Sequence, residues 1–551
     1  MSRSLEGSIE RLFAGGGLLF FGLVLELGVS FLAKAVIARV LGPVDYGAVS
    51  LGVTTLGLLS TLGLLGLHTG VARYLPRFDD DADRRGVLVS AFEIVVPVVT
   101  AIGLLVAGLA DPIATHAFGD PAVAPFVRIF GLAIPFAALP KLSVGAIQGL
   151  QQAAPKVVVQ TVTPPVTRFL AVAVAVLVGA GAVGVASAYA LAYVAAALVG
   201  LAFVVRRTPL LASVSPTPMR RDLVAFSAPL VVSAAMGFVL TDLDTFMLGY
   251  FASTEAVGVY NVVYPIAQLL TVALTSFGFL FMPIISELHA DDAPGEMRRI
   301  YQVVTKWVFV ATLPVFLVVA LFSDMTIAVT FGSEYRPGAT ALTLLAVAYF
   351  THAVAGPNAN TLTAIGHTRL VMWDSVAVAV VNALLNLLLI PTYGYLGAGV
   401  ATAISYITLN LLYATQLYRA TGIHPFSRGL VRPGVVALTL VAVVHWATRT
   451  FFPITVPVLV GMFVVFLTAY VVVILRFGGI ESEEVALVLS FEERFDVNLG
   501  PLKAVARFVM DCNRSPPRRY AHPHPPGYPA SRPPGPPPTP RPRHPPRGGP
   551  R

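Results

Sequence analysis

The side chains best equipped for chemistry lie where charge is costly. Glu26, Lys34 and Arg168 each sit inside an apolar run, as do Asp242, Asp244, Asn382, Asn386 and Thr402. A charge held in hydrocarbon costs on the order of 3 kcal/mol or more, so each needs a partner or a task. Glu26 and Lys34 are eight residues apart. That is about 80° of helical rotation, so both can face one cavity between helices. Lys34 can equally snorkel to the near membrane surface. A guanidinium at Arg168 suits an anionic phosphate or an internal carboxylate such as Glu26. Asp242 and Asp244 are about 200° apart on a helix and cannot both face the same cavity. Asn382 and Asn386, at i and i+4, share one face. One carboxylate, two amide oxygens and the Thr402 hydroxyl make a set of hard oxygen ligands for a small cation. Hydrogen bonding between helices would use the same side chains.

Membrane helices must position these groups. Only 12% of the 551 residues are charged, and mean hydropathy is +0.78. A soluble domain averages about 25% charged residues. With about 20 apolar residues per span, the sequence predicts an all-α polytopic membrane protein of about 14 transmembrane helices. Among them are spans at 13–38, 46–67, 126–147, 223–251, 431–446 and 456–475. The expected organisation is a six-helix bundle at 1–206, a cytoplasmic linker at 207–222, a second six-helix bundle at 223–420 and two additional helices at 421–476. A cytoplasmic amphipathic segment at 477–513 and a disordered Pro/Arg-rich tail at 514–551 follow. That tail carries 16 prolines, eight arginines and no acidic residue, too little apolar sequence to bury a core.

Basic residues crowd alternate loops. One side holds Arg73, Arg77, Arg84, Arg85, Lys141, Lys156, Arg206 and Arg207 among others; the other holds Arg39, Arg128, Arg336 and Arg449. By the positive-inside rule both termini are expected in the cytoplasm. The net charge of +8 does not signal nucleic acid, because much of it lies in the tail and the spans offer no groove-reading surface. Cys512 is the single cysteine, so no internal disulfide forms. No cleavable signal peptide is expected. There is no P-loop, no His/Cys cluster and no Gly-x-Ser-x-Gly pattern. The expectation is therefore a protein that is not an enzyme and has no cofactor, driven by an ion or substrate gradient.

One stretch repeats. Leu41-Gly42-Pro43-Val44-Asp45-Tyr46-Gly47 is echoed by Leu248-Gly249-Tyr250-Phe251 running on to Gly258-Val259-Tyr260, with Gly258 211 residues after Gly47. Ile147-Gln148-Gly149 is echoed by Ala364-Ile365-Gly366, 217 residues on, and Gly184-Val185-Ala186 by Gly397-Ala398-Gly399, 213 on. Six predicted spans separate each pair, an even number, so the halves share one orientation. A parallel repeat of this kind places a substrate site between the halves. Pro43 ends the first span, and Gly42 and Gly47 permit a tight turn, a hinge candidate beside that site.

The run Ala38 to Gly47 resembles the first inter-span signature of the polysaccharide-biosynthesis, lipid-linked oligosaccharide flippase family within the multidrug/oligosaccharidyl-lipid/polysaccharide exporter superfamily. Gly70-Val71-Ala72-Arg73-Tyr74-Leu75-Pro76, Asp244 to Phe251 and Asn382 to Gly399 are similar to further stretches of that family. The resemblance covers about residues 1–475. It implies two pseudo-symmetric six-helix bundles plus two added helices, alternating between open states. The implied task is moving a polyprenyl phosphate- or pyrophosphate-linked oligosaccharide across the cytoplasmic membrane for cell-surface polysaccharide or glycoprotein glycan assembly. Glu26, Lys34, Arg39, Arg73 and Arg168 would then serve the substrate cavity. Asp244, Asn382, Asn386 and Thr402 match the cation site of a relative, the bacterial lipid II flippase, which implies coupling to Na⁺ or H⁺. One position departs: the second ligand of the eleventh span is acidic in that relative and is Asn386 here. A cation-coupled multidrug exporter of the same superfamily is the neighbouring reading. A non-transporting scaffold that recruits glycosyltransferases or a polymerase is the reading from another class.

Overall fold

The computed structural model describes the backbone of residues 2–425 and 456–477 and a few positions between 434 and 450, with side chains from residue 27 onward apart from short gaps. The expected span at 431–446 lies largely outside the described residues. The side chain of Glu26, the amphipathic segment and the tail lie outside them entirely.

Among the described residues every regular element is helical, and eleven helices are long and apolar enough to cross a membrane. The count of fourteen is not reached among them. The first two expected spans run together as α1 (Ser2–Gly63), kinked at Gly42, whose φ of 73° no ordinary helix allows. Pro43 sits just past that kink, where its missing N–H breaks no established turn. There follow α2 (Leu67–Tyr74), α3 (Asp81–Gly108), α4 (Ala124–Gly149), α5 (Thr163–Leu177) and α6 (Gly181–Arg207). After a linker come α7 (Arg220–Thr241), α8 (Leu243–Phe251), α9 (Thr254–Gln268), α10 (Val272–Ala290), α11 (Pro294–Leu321) and α12 (Ser323–Thr330). The set closes with α13 (Ala339–Ala355), α14 (Asn358–Ala364), α15 (Thr368–Tyr393), α16 (Tyr395–Thr421) and α17 (Val456–Phe477).

Local chemistry sets the ends. The Asp80 carboxylate accepts from Ala82 N at 3.1 Å to start α3, and the Ser253 hydroxyl accepts from Ala256 N at 3.1 Å to start α9. Gly422, at φ 70°, closes α16 as a left-handed cap. The third sequence echo marks equivalent hairpins. Gly184 near the start of α6 and Gly397 near the start of α16 each abut the end of the preceding helix. A Cβ on Gly184 would lie 3.4 Å from the Ala175 Cβ, and one on Gly397 would lie 2.4 Å from the Leu389 carbonyl oxygen.

The halves touch at both ends of α1's second arm. On the Gly42 face, a Cβ on Gly47 would fall 1.8 Å from the Thr254 carbonyl oxygen, and one on Gly258 would fall 1.9 Å from the Pro43 carbonyl oxygen. Pro43 and Thr254 are themselves separated by 211 residues, so the two contacts map onto each other, as a two-fold relation requires. The flanks repeat it: the Tyr335 hydroxyl donates to the Ala38 carbonyl at 2.9 Å, and Phe118 packs on Gly249, 211 residues beyond Ala38. On the opposite face, Gly66 and Gly70 press on Ser227 at the start of α7. Small residues at these crossings let backbones approach where lipid gives helices no hydrophobic reason to associate. A single apolar core runs through both halves, from Leu51, Phe130 and Tyr189 to Tyr260, Leu345 and Ile390.

Candidate functional site

The expected seventh span is two helices. α7 stops at Thr241, Asp242 leaves helical geometry (φ −132°, ψ −7°), and α8 restarts at Leu243. Breaking a helix in mid-membrane frees backbone polar groups, which is tolerated where they line a polar cavity. Asp242 does line one. A lobe of about 380 Å³ is walled by Thr54, Thr61, Lys141, Tyr193, Phe238, Thr241 and Asp242. A second, of about 220 Å³, is walled by Lys34, Thr241, Asp242, Tyr260, Asn261 and Gln268. Thr241 and Asp242 belong to both, so the lobes adjoin.

Lys34 is half-buried and faces the second lobe. Arg168 and Asp242 are charged groups near it. The Arg168 guanidinium lies 4.5 Å from the centre of the Tyr189 ring and 6.0 Å from that of Tyr193, while its Nε is buried without a partner. The guanidinium also hydrogen-bonds the Tyr189 side chain, so the two tyrosines hold it in place. Arg39 and Arg73 line neither lobe. Arg39 donates from Nε to the Thr330 carbonyl at 3.1 Å and from Nη2 to the Val329 carbonyl, capping the end of α12. Arg73 stands 4.2 Å above the Phe226 ring in the contact between α2 and α7.

Lys141 corrects the loop reading. It lies inside α4, which continues to Gly149 through Pro135 and Pro140, and it donates to Ser60 Oγ at 3.1 Å and Thr61 Oγ1 at 2.7 Å. The signal was present: proline does not end a helix in lipid when neighbours satisfy the freed carbonyls.

Asp244 lines neither lobe and is 5% exposed. Its Oδ2 accepts from the Tyr260 hydroxyl at 2.5 Å and from Thr402 Oγ1 at 3.5 Å, and its Oδ1 accepts from Thr245 N at 2.9 Å. Asn386 Nδ2 donates to Asn382 Oδ1 at 3.0 Å, and both amides are buried on the face of α15. Asn386 Oδ1 is buried and has no partner. The structure thus joins Asp244 directly to Thr402 and Asn382 directly to Asn386. Tyr260, marked in the sequence only as the end of the repeat because a tyrosine in an apolar span reads as core, completes the first pair. A buried acceptor left open on Asn386, and a buried carboxylate with a hydroxyl on Asp244 and Thr402, are the hard oxygen groups a small cation takes. Among the described residues no three His, Cys, Asp or Glu side chains gather as a metal site.

Fold and site together define a polytopic helical membrane protein whose two related halves enclose a charged cavity. The family model "Polysaccharide biosynthesis protein" matches residues 12–289, half of the chain, and the chain belongs to that family. The MatE model matches residues 229–388. The probable low-salt glycan biosynthesis flippase Agl15 of Haloferax volcanii is 26% identical over 203 residues, 36% of this chain and 42% of the relative. The probable flippase AglR of the same organism is 26% identical over 260 residues, 45% of this chain and 52% of the relative. The matches thus span about half the length of these relatives. Among solved structures, the lipid II flippase MurJ in an inward closed conformation superposes with a TM-score of 0.67 at 13% identity, covering 84% of this chain and 97% of that one. An inward-facing multidrug resistance MATE transporter gives 0.60 at 14% identity, covering 72% and 94%. Both likenesses concern the fold.

Proposed function

We propose that this protein is a flippase that carries a lipid-linked oligosaccharide, joined through a phosphate or pyrophosphate, across the cell membrane by alternating access. The observation that carries the reading is the cavity at the break between α7 and α8, with Lys34 and Lys141 on its walls and the Arg168 guanidinium close to Lys34. An anionic head group gains charge-assisted hydrogen bonds there, which offset the cost of leaving water. Two relatives named as flippases support the same reading. The distribution of basic residues supports both termini lying in the cytoplasm, and glycosyltransferases or a polymerase are the partners this task implies. The chain moves its substrate and does not transform it.

We read the Asp244 cluster as the coupling site. Asp244, Asn382, Asn386 and Thr402 would hold a cation, Na⁺ or a proton, and a bound cation would neutralise the buried carboxylate. The likeness to MATE transporters favours a second reading, a cation-coupled multidrug exporter. Lysines on the cavity wall oppose it for cationic drugs, since like charges repel strongly at low dielectric.

The test reconstitutes the full chain in vesicles with a short-chain polyprenyl diphosphate disaccharide in one leaflet. A glycosidase added outside reports arrival in the other leaflet. Wild type is expected to expose the disaccharide at least about tenfold faster than Lys34→Met, the loss of one charge-assisted contact. Equal rates for wild type and protein-free vesicles would overturn the reading.

A further inference from the structure

The cavity has cations at two depths. Lys34 lies eight residues before the Gly42 turn, and Thr61, which binds Lys141, lies nineteen residues after it. At 1.5 Å rise per residue these positions stand about 12 and 28 Å along their arms of α1 from the turn. The proposed coupling site does not involve Lys141, and the Lys34 end of the cavity does not reach it.

The surroundings of Lys141 are incomplete. An ammonium has three donors. Two are placed on the neutral hydroxyls of Ser60 and Thr61, and among the described residues no carboxylate lies within ion-pair distance. Asp242 shares the lobe beyond ion-pair distance, and its Oδ2 accepts from Thr241 Oγ1 at 2.6 Å. An uncompensated ammonium at this depth is costly, and neutral hydroxyls orient it without cancelling its charge. A second group nearby is unfinished too. His68 packs its backbone carbonyl on Gly145, one turn beyond Lys141, and its Nδ1 is buried with no partner. Burial, then the positive charge of Lys141, holds the His68 imidazole below its usual pKa, so the ring is neutral and keeps one N–H to donate.

We propose that Lys141, oriented by Ser60 and Thr61 and flanked by His68, forms a phosphate-binding subsite at the Gly66 end of the cavity, separate from the Lys34 and Arg168 group. Its ligand is a phosphate or diphosphate ester. The proposal rests on the flippase reading, and it gives the head group two stations on its path. The phosphate meets one at each end of the cavity, with Asp242 between them.

Purified full chain in detergent is titrated with inorganic phosphate, inorganic pyrophosphate and farnesyl diphosphate, reading binding by calorimetry. Lys141→Met is expected to weaken binding of the preferred probe about tenfold or more, and Lys141→Arg to stay within about threefold, since charge is kept. Preference for farnesyl diphosphate assigns the site to a lipid head group. Equal binding of pyrophosphate assigns it to free phosphates, and either result supports the subsite when Lys141→Met weakens that binding. If Lys141→Met does not yield folded protein, Thr61→Val carries the test through a weaker loss in the same direction. Wild-type binding in folded Lys141→Met, with loss in Lys34→Met, overturns the subsite and leaves the flippase reading standing. No binding of any probe by wild type overturns both.

Discussion

Gly47 and Gly258 meet backbone to backbone across the junction of the two halves, each where a side chain on the other cannot fit. A methyl on Gly47 would need the Thr254 carbonyl to retreat from 1.8 Å, and only separation of the halves provides that. Overpacking of this kind costs about 1–3 kcal/mol, enough to shift a closed face toward open by roughly ten- to a hundredfold. In a Cys512→Ser background carrying Asn261→Cys in the second lobe, Gly47→Ala is expected to speed labelling by an impermeant maleimide at least tenfold. Gly258→Ala should do the same, because the contact is reciprocal. Unchanged labelling in both would mean the glycine contact does not hold this face shut.

The opposite face separates two kinds of clash on one residue. A Cβ on Gly70 would lie 2.6 Å from Ser227 Oγ, whereas one on Gly66 would lie 2.7 Å from the Ser227 backbone oxygen and would also strain a φ of +70°. Ser227→Ala therefore rescues Gly70→Ala and leaves Gly66→Ala destabilised. Ser227 Oγ is buried without a partner, so its removal alone is expected to be neutral or stabilising. Thermal unfolding in detergent reads the three single and two double variants against wild type. Equal rescue of both glycine variants would contradict the geometry.

Asp244 and Tyr260 form a buried pair whose members depend on each other. Tyr260→Phe leaves Asp244 Oδ2 with only the long Thr402 contact, at a cost of about 1–3 kcal/mol. In an Asp244→Asn background the same change should cost less, with a coupling energy of about 1 kcal/mol in a double-mutant cycle. The cation reading adds a separate outcome. Replacing choline by Na⁺ should raise the Tm of wild type more than that of Asp244→Asn, by linkage to binding. Identical shifts would remove Na⁺ from the proposal.

The apolar periodicity made the helical class legible, and the repeated glycines marked the surfaces where the halves touch. The broken span was not legible. Nothing in Thr241-Asp242-Leu243-Asp244 differs locally from a continuous helix, and the break is stabilised by tertiary contacts, above all the Tyr260 hydroxyl on Asp244. Lys141 was hidden because a lysine beside Pro140 looks like a loop until Ser60 and Thr61, some 80 residues earlier, are seen to receive it. Arg39 was misleading for the opposite reason. Its position beside the signature turn suggested the cavity, while the carbonyls that bind it come from residues about 290 positions away.

Arg39 and Lys34 are one and a half helical turns apart, and their variants should fail in different ways. The Arg39 fork spans two carbonyls at the end of α12, where a cation also complements the helix dipole. A lysine keeps the charge but cannot hold both carbonyls. Arg39→Lys should therefore lower Tm by an amount corresponding to about 1 kcal/mol or less, with the substrate concentration for half-maximal transport unchanged. Lys34→Met removes a half-buried charge from the cavity wall. Its Tm should hold or rise, because a buried charge traded for an apolar chain is often neutral or stabilising. Its half-saturating substrate concentration should increase about tenfold. The two measurements together decide the assignment. Weakened substrate saturation in Arg39→Lys at unchanged Tm would return Arg39 to the cavity, and a Tm loss without a saturation change in Lys34→Met would reduce Lys34 to a structural cation.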